Sequence, residues 1–241
     1  MRKLTCTIPL NYQGMVELDT NFGGSPNWVK LAAGITGIIP ANNDSVDQKQ
    51  YIDGQGFGSS DVIGMQITLA VAGDRFLTDA AQNFIFDNQY EIGCGRKTQC
   101  RITEAEGKFK VCGCTIANIV PPSGESANKK AFTFEIHFNG RPTFSPATSA
   151  PALTSTVADG SVSGSTSFTA TPKSGNTFGY LLTASAPTTP NLLAYVNVYA
   201  YTSGDPIAAA VGQILNMVEL DINKRVAKYA KATLVSDDIL A

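Results

Sequence analysis

Charged residues are scarce in this chain of 241 residues, because Asp, Glu, Lys and Arg together make up only 16% of it. The net charge of −2 gives no overall attraction to nucleic acid or to an anionic membrane. No apolar run approaches the roughly 18 residues of a transmembrane helix. The apolar run near the N-terminus is too short and too interrupted for a secretory signal peptide. We therefore expect a protein without a membrane span that is made and assembled in a cytoplasm.

Histidine is almost absent, and this bears on catalysis. His137 is the only one, and no motif places it beside a serine or cysteine nucleophile. The chain has no phosphate-binding loop and no dinucleotide fingerprint. Its acidic residues lie mainly in polar segments, where an isolated pair for acid–base work is not apparent. The sequence thus predicts neither an enzyme nor a bound cofactor.

Cysteines are few and odd in number, which argues against a complete disulfide framework. The spacing of the four from Cys94 to Cys114 matches no standard zinc site. We expect the cysteines in predicted strands to serve as small apolar core residues and predict no metal site. The five are Cys6, Cys94, Cys100, Cys112 and Cys114.

The segment from Trp28 to Arg75 contains two predicted strands separated by a long polar stretch. The first strand is predicted from Val29 to Pro40. It should stop there because proline cannot donate a hydrogen bond to a sheet ladder. In the second strand, apolar residues alternate with polar or small ones from Ile63 to Val71, the pattern of a half-buried strand. Residues 40–61 between them are predicted to form a loop. Since loops beyond about 12–15 residues are usually functional or disordered, this loop is the first candidate site.

A helix is predicted from about Asp79 to Tyr90. Asp79 or Thr78 can cap it, and Gln82 occupies the position of a capping-box partner. Because its apolar stripe is narrow, the helix should lie on the flank of a sheet. After it, residues 96–120 predict a basic hairpin that turns near Glu106.

A further alternating strand is predicted in AFTFEIHFNG at 131–140, with its aromatic and aliphatic residues on one face and polar residues on the other. Prolines and small residues then predict a linker at 146–151. Beyond it, short strands predict a second domain at 152–241 that ends in a hairpin around residues 221–224. Pro206 and the alanines after it leave a short helix open as an alternative there.

The first 145 residues resemble the major tail proteins, or tail tube proteins, of long-tailed bacteriophages. The resemblance is carried by WVKLAAGITGIIPANNDSVDQKQYIDGQGFGSSDVIGMQITLAVAGDR at 28–75, by the helix beginning TDAAQNFI, and by the basic hairpin that follows. Residues 149–241 resemble, more loosely, the extra β-domain that some members carry on the tail exterior. The resemblance implies a mainly β protein: a β-sandwich tube domain at 1–145 with one flanking α-helix, and a smaller C-terminal β-domain.

In that family, hexameric rings stack into the tube that conducts DNA from the capsid to the host. The resemblance therefore implies a structural virion protein located in the tail and assembled in the bacterial cytoplasm. Its implied partners are copies of itself and other tail proteins, namely the tape measure, tail terminator and distal tail proteins. Double-stranded DNA would pass through without specific binding, across polar side chains that face the lumen. The predicted lumen-facing residues are Gln66, Thr68, Thr133, Glu135 and His137.

The polar stretch then becomes a candidate stacking device between rings. It carries a local charge of −3 and the basic hairpin one of +3, so we expect the two to meet across copies, with Tyr51 and Phe57 as apolar anchors. We also expect the loop to be disordered in the isolated subunit. The predicted inter-ring residues are Asp44, Asp47, Lys49, Tyr51, Asp53, Phe57, Asp61, Arg96, Lys97, Arg101, Lys108 and Lys110.

Two other functions stay open at the level of sequence. The tyrosines of the second domain, Tyr180, Tyr195, Tyr199 and Tyr201, are of the kind that stack on sugars, which would fit a carbohydrate- or cell-surface-binding module. The sequence favours core packing of a strand over sugar binding for these tyrosines. A catalytic tail component would need a specific carboxylate, and the sequence nominates none.

Overall fold

A computed structural model describes residues 13–21 and 23–240, so Cys6 lies outside the described residues. The chain divides into two compact units. The N-terminal unit comprises Met15–Ile102 and Lys110–Phe144. The C-terminal unit comprises Ser145–Ala241 together with Thr103–Phe109 and, of the described residues, Gln13 and Gly14. The sequence does not reveal that residues 103–109 group with the C-terminal residues. The predicted domain boundaries, 1–145, 146–151 and 152–241, stay predictions.

The N-terminal unit is built on one large antiparallel sheet. Its elements are β1 Met15–Asp19, β2 Trp28–Lys30, β3 Ile35–Ala41, β4 Asp44–Gln50, β5 Gly58–Met65, β6 Thr68–Asp74, helix α1 Ala80–Asp87, β7 Lys97–Thr103, β8 Phe109–Ser123, β9 Ala131–Phe138 and β10 Thr143–Ser145. The strand order is β2-β1-β7-β8-β9-β6-β3, and β10 pairs with β8. Short 3-10 helices lie at Ile52–Gly54 and Gly93–Arg96. Together with the C-terminal unit this confirms the predicted class, mainly β with a flanking helix and consistent with a β-sandwich.

The core of this unit forms where α1 packs on the apolar face of the sheet. The alternation predicted for β9 is confirmed, since Phe132, Phe134, Ile136 and Phe138 are all buried. Phe86 of α1 meets the edge of the Phe132 ring at 5.2 Å between centroids. Each such side chain contributes about 1.5–3 kcal/mol by leaving water. Cys100, Cys112 and Cys114 are buried in the same core, as expected of small apolar residues.

Helix α1 confirms the predicted cap but is shorter than predicted. The Asp79 carboxylate accepts from the backbone N–H of Gln82 at 2.8 Å, and the helix ends at Asp87 instead of Tyr90. The Gln82 side chain does not close a capping box on Asp79. It is buried, accepts from the N–H of Phe76 at 2.8 Å, and donates to the carbonyl of Ala33 at 2.6 Å. It therefore ties the helix to the segment before β3 and to the segment after β6.

The predicted loop at 40–61 is wrong. Strands β4 and β5 pair over this stretch as a separate two-stranded hairpin. Pro40 does not end the preceding strand either, because it lies within β3, opposite Leu69. That position tolerates proline because β3 is at the edge of the sheet within the described residues, so a missing N–H leaves no neighbouring strand unpaired.

The C-terminal unit contains two smaller antiparallel sheets. Its strands are β11 Thr156–Asp159, β12 Ser165–Thr169, β13 Thr177–Thr183, β14 Tyr199–Tyr201, β15 Ile207–Ala208, β16 Ile214–Leu220 and β17 Val226–Thr233, with a 3-10 helix at Ser236–Asp238. The orders are β11-β12-β15 and β14-β13-β16-β17. The predicted final hairpin is confirmed as β16–β17. The alternative helix after Pro206 is wrong, because that segment forms β15 and turns.

Candidate assembly surfaces

The β4–β5 hairpin is the most exposed element of the N-terminal unit. Every residue of β5 is exposed, and so is every residue of β4 except Asp47. At its base, Gln66 N–H donates to the carbonyl of Asn42 at 3.0 Å. The side-chain amide of Asn43 donates to the Gln66 carbonyl and to Thr68 Oγ1, both at 2.9 Å. The hairpin is thus fixed where it leaves the sheet and exposed along its length.

Large apolar side chains are concentrated on this exposed hairpin. Ile52 at the tip is fully exposed, and Phe57 and Ile63 are 80% and 71% exposed. Monomeric proteins seldom expose contiguous apolar patches of this kind, which mark interaction surfaces. Sequence reasoning found Tyr51 and Phe57 but assigned Ile63 and Met65 to a buried face, which is wrong. The exposed set is Val46, Tyr51, Ile52, Phe57, Val62, Ile63 and Met65.

The hairpin also places two carboxylates opposite each other. Asp47 and Asp61 are direct cross-strand partners, and like charges in this position destabilise a strand pair. Lys49 offsets part of this repulsion, because its ammonium lies 2.8 Å from the Asp47 carboxylate. The two remaining predicted acidic residues, Asp44 and Asp53, are also exposed on the hairpin. The hairpin therefore exposes both apolar and acidic side chains.

Two of the five predicted contact residues of the basic hairpin at 96–120 have partners within their own unit. Arg101 forms an ion pair with the buried carboxylate of Glu17. Arg96 donates to the carbonyls of Glu91, Gln89 and Ile116. Both guanidinium groups therefore stabilise the local fold, and this sets them apart from the lysines in the predicted contact set.

Three lysines of the predicted basic set remain as candidate contacts. Lys97 and Lys108 are exposed and Lys110 is half-buried. Among the described residues, none of them forms a salt bridge with a carboxylate of the hairpin. Among the described residues, these lysines and the acidic residues of the hairpin thus form no ion pair within one subunit. A contact between them in different copies stays a prediction.

The predicted lumen-facing residues lie on the sheet face opposite the apolar core or close to it. His137 of β9 pairs with Thr68 of β6 on one side and with Thr115 of β8 on the other. Glu135 accepts from the Asn118 amide at 2.8 Å, and its carboxylate lies 2.6 Å from His137 Nε2. These hydrogen bonds lower the pKa of Glu135, so it carries a negative charge at neutral pH.

Thr133 completes this polar face, and Gln66 lies in the connection between β5 and β6. All five predicted residues are exposed or half-buried.

Three of the cysteines are buried thiols. Burial raises the pKa of the Cys100 and Cys112 thiols, and it raises that of Cys114 to about 12. These three thiols are therefore protonated at neutral pH, unlike the thiolate of an activated nucleophile. Within residues 13–21 and 23–240, no group of three or more His, Cys, Asp or Glu side chains is arranged to hold a metal ion. No helix in those residues is long and apolar enough to cross a membrane.

Comparison with known proteins gives matches to two kinds of assembly. The family described as S-layer protein SbsC C-terminal domain matches residues 158–237, about a third of the chain. A crystal structure of SbsC domains 7, 8 and 9 is similar at 23% identity and a TM-score of 0.38, covering 56% of this chain and 39% of that one. This chain thus spans well under half of that S-layer fragment. No curated protein matches.

The second kind is the tail of phage-like particles. The tail of an empty gene transfer agent particle, refined with C6 symmetry, is similar at 16% identity and a TM-score of 0.45. That match covers 58% of this chain and 100% of the tail chain. A phage p2 baseplate structure is similar at 12% identity and a TM-score of 0.33, covering 93% of this chain and 88% of that one. At these identities and TM-scores the matches do not establish a shared function.

Proposed function

We propose that this chain is a structural subunit of a phage tail and assembles with copies of itself into hexameric rings that stack as the tail tube. The observation that carries the proposal is the β4–β5 hairpin, which exposes seven large apolar side chains. Burying a residue such as Phe57 or Ile63 on a neighbouring copy gains about 1.5–3 kcal/mol each. In a soluble monomer the same side chains would be a liability for aggregation.

The edges and the polar face of the large sheet support the same assembly. Within the described residues, β2 and β3 are edge strands, and an open edge is a ready template for pairing with another chain. Pairing around a closed rotation axis uses up such edges without generating fibres. The polar face with Thr68, Thr133 and His137 would then line the channel. Its side chains are polar and carry few charges, so they would form few salt-dependent contacts with the phosphates of duplex DNA.

In this proposal the β4–β5 hairpin stacks one ring on the next. Tyr51 and Phe57 would act as anchors, because buried aromatic side chains dominate the energy of interfaces. The Asp47 and Asp61 carboxylates would face Lys97, Lys108 and Lys110 of another copy. Since exposed ion pairs contribute only about 0–1 kcal/mol each, these charges would set the register more than the affinity.

Electron microscopy of the purified full-length protein tests the assembly. The wild type should form rings or tubes with a central hole, and Tyr51→Ala combined with Phe57→Ala should leave single subunits of unchanged thermal stability. Tyr199→Ala combined with Val211→Ala is the matched control, because both side chains are exposed in the C-terminal unit. Normal long tubes from the hairpin variant would refute the anchoring role. Wild-type protein that stays monomeric at every concentration would refute self-assembly.

A second candidate function concerns the C-terminal unit alone. Carbohydrate or cell-surface binding is favoured there by one observation, an open cleft with aromatic and polar walls.

A further inference from the structure

The cleft of the C-terminal unit has a volume of about 540 Å³ and follows the edge strand β14. Small-molecule sites in proteins usually occupy about 300–1,000 Å³. All of its lining residues lie between Thr177 and Lys224, so the site is contained within one unit. It is independent of the hairpin and of the assembly proposed above.

One wall of the cleft is fixed by hydrogen bonds and ring stacking around the half-buried Tyr201. The ring of Tyr201 stacks on Phe168 with 4.1 Å between centroids. Its hydroxyl oxygen accepts from the N–H of Phe168 at 3.0 Å and of Gly204 at 3.2 Å, and it lies 2.9 Å from the Asp205 carbonyl. The turn that carries Thr202 and Asp205 is therefore held in place before any ligand arrives.

Another wall includes the segment from Val196 to Val198, which approaches β13 closely. A Cβ atom on Gly179 would lie 2.4 Å from Val198 Cγ2 and 3.1 Å from the Tyr199 carbonyl oxygen. Only glycine allows this approach. Asn197 is exposed on this wall. Both walls are thus preformed, which lowers the cost of ordering on binding.

The lining combines an aromatic surface with groups that bind hydroxyls. Tyr180 is half-buried and packs against Tyr201, with 5.8 Å between ring centroids. Asn197 and Thr202 supply an amide and a hydroxyl. Asp205 and Lys224 supply one charge of each sign, and Lys224 Nζ donates to Thr177 Oγ1 at 3.1 Å. A lining of balanced charge does not select an anion or a cation.

We infer that this cleft is a binding site for a neutral saccharide, with a pyranose ring against Tyr180 and its hydroxyls bonded to Asn197, Asp205 and Lys224. A pyranose has an apolar face of C–H groups for the aromatic ring and a rim of hydroxyls for the polar groups. A nucleotide would need a net positive lining, and a lipid chain would need an apolar one.

Titration of the full-length protein with maltohexaose, cellohexaose and chitohexaose tests the inference by calorimetry and saturation-transfer NMR. We expect saturable binding of at least one of them in the millimolar range. Asn197→Ala and Lys224→Met should each weaken it about fivefold to tenfold, the effect of one lost hydrogen bond. Tyr180→Leu, which keeps the apolar volume but removes the ring, should weaken it about tenfold.

Lys231→Met is the matched control, because Lys231 is exposed on β17 in the same sheet and does not line the cleft. Its affinity should equal that of the wild type, and thermal melting should show all variants folded. Absence of saturable binding to all three hexasaccharides would overturn the inference. So would binding that survives Asn197→Ala, Lys224→Met and Tyr180→Leu, or binding only to a polyanionic sugar such as heparin.

Discussion

Arg101 and Glu17 form a two-point ion pair inside the N-terminal unit. Arg101 Nε lies 2.6 Å from Glu17 Oε2, and Nη2 lies 2.8 Å from Oε1. The Glu17 side chain is only 2% exposed. The guanidinium also lies over the ring of Trp28, 4.6 Å from its centroid. Arg101 thus joins β7 to β1 and β2, and its first role is to neutralise a buried carboxylate.

Arg101→Ala should destabilise the N-terminal unit by about 3–5 kcal/mol, because it leaves the Glu17 charge buried without a partner. Urea unfolding followed by the fluorescence of Trp28, the only tryptophan, measures this directly. Lys97→Ala is the control and should change stability by less than about 0.5 kcal/mol, since Lys97 is exposed. Equal stability of the two variants would show that the ion pair contributes nothing.

Glu219 predicts a pH dependence for the C-terminal unit. Burial alone would raise the pKa of its carboxyl group, but the Lys173 N–H, the Asn176 amide and the Lys228 ammonium lie at 2.9, 2.7 and 3.1 Å and together lower it. A carboxyl group whose pKa is lower in the folded state stabilises the fold above its unfolded pKa. That stabilisation is lost as the pH falls through the folded pKa.

The unfolding free energy should therefore decrease on acidification below about pH 4.5 more steeply in the wild type than in Glu219→Gln. Urea unfolding of both proteins at a series of pH values measures the two slopes. Asp237→Asn is the control, because Asp237 is exposed. Parallel pH curves for the wild type and Glu219→Gln would contradict this role of the carboxylate.

Arg225 predicts a second stability effect, within the C-terminal unit. It is 2% exposed, and its guanidinium donates to the carbonyls of Gln13, Glu104 and Leu193 at 2.5, 3.4 and 3.5 Å. Arg225→Met keeps much of the side-chain volume but removes these donors. The Glu104 carbonyl still accepts from the Gly107 N–H at 3.1 Å. Each hydrogen bond that is lost costs about 0.5–1.5 kcal/mol.

We expect Arg225→Met to lower the melting temperature of the C-terminal unit by several degrees in calorimetry. Lys231→Met makes the same kind of change at an exposed position and should leave the melting temperature unchanged. A wild-type melting temperature for Arg225→Met would show that the carbonyls find other donors.

The difference between prediction and structure is clearest at the β4–β5 hairpin. Alternation of apolar and polar residues detects a strand that buries one face, as it does for β9. The β4 sequence, Asp44–Gln50, has only Val46 as an apolar residue and buries neither face in the subunit. The strand forms because its backbone pairs with that of β5. No periodic pattern in the sequence indicates this pairing.

The same reasoning explains why Ile63 and Met65 were assigned to the core. Their alternation continues into Leu69 and Val71, which are buried in β6. The chain, however, leaves β5 at Met65 and enters β6 at Thr68. A break of two residues separates an exposed hairpin from a core strand, and single-sequence periodicity cannot detect it. The ion pair of Arg101 was likewise hidden, because Glu17 and Arg101 are distant along the chain.

The charges at the proposed stacking contact predict a complementation between two variants. In the first, Asp47→Lys and Asp61→Lys make the hairpin basic. In the second, Lys97→Glu, Lys108→Glu and Lys110→Glu make the facing set acidic. Each variant alone juxtaposes like charges between copies, so neither should form tubes.

An equal mixture of the two variants should restore tubes. Every contact between unlike copies then joins opposite charges, basic hairpin to acidic set or acidic hairpin to basic set. Since exposed pairs contribute only about 0–1 kcal/mol each and are screened by salt, the restored tubes should shorten at high ionic strength. Negative-stain microscopy of each variant and of the mixture measures this. Tubes from either variant alone would show that these charges do not meet. If both variants melt like the wild type and their mixture still forms no tubes, the acidic residues of the hairpin contact a different partner.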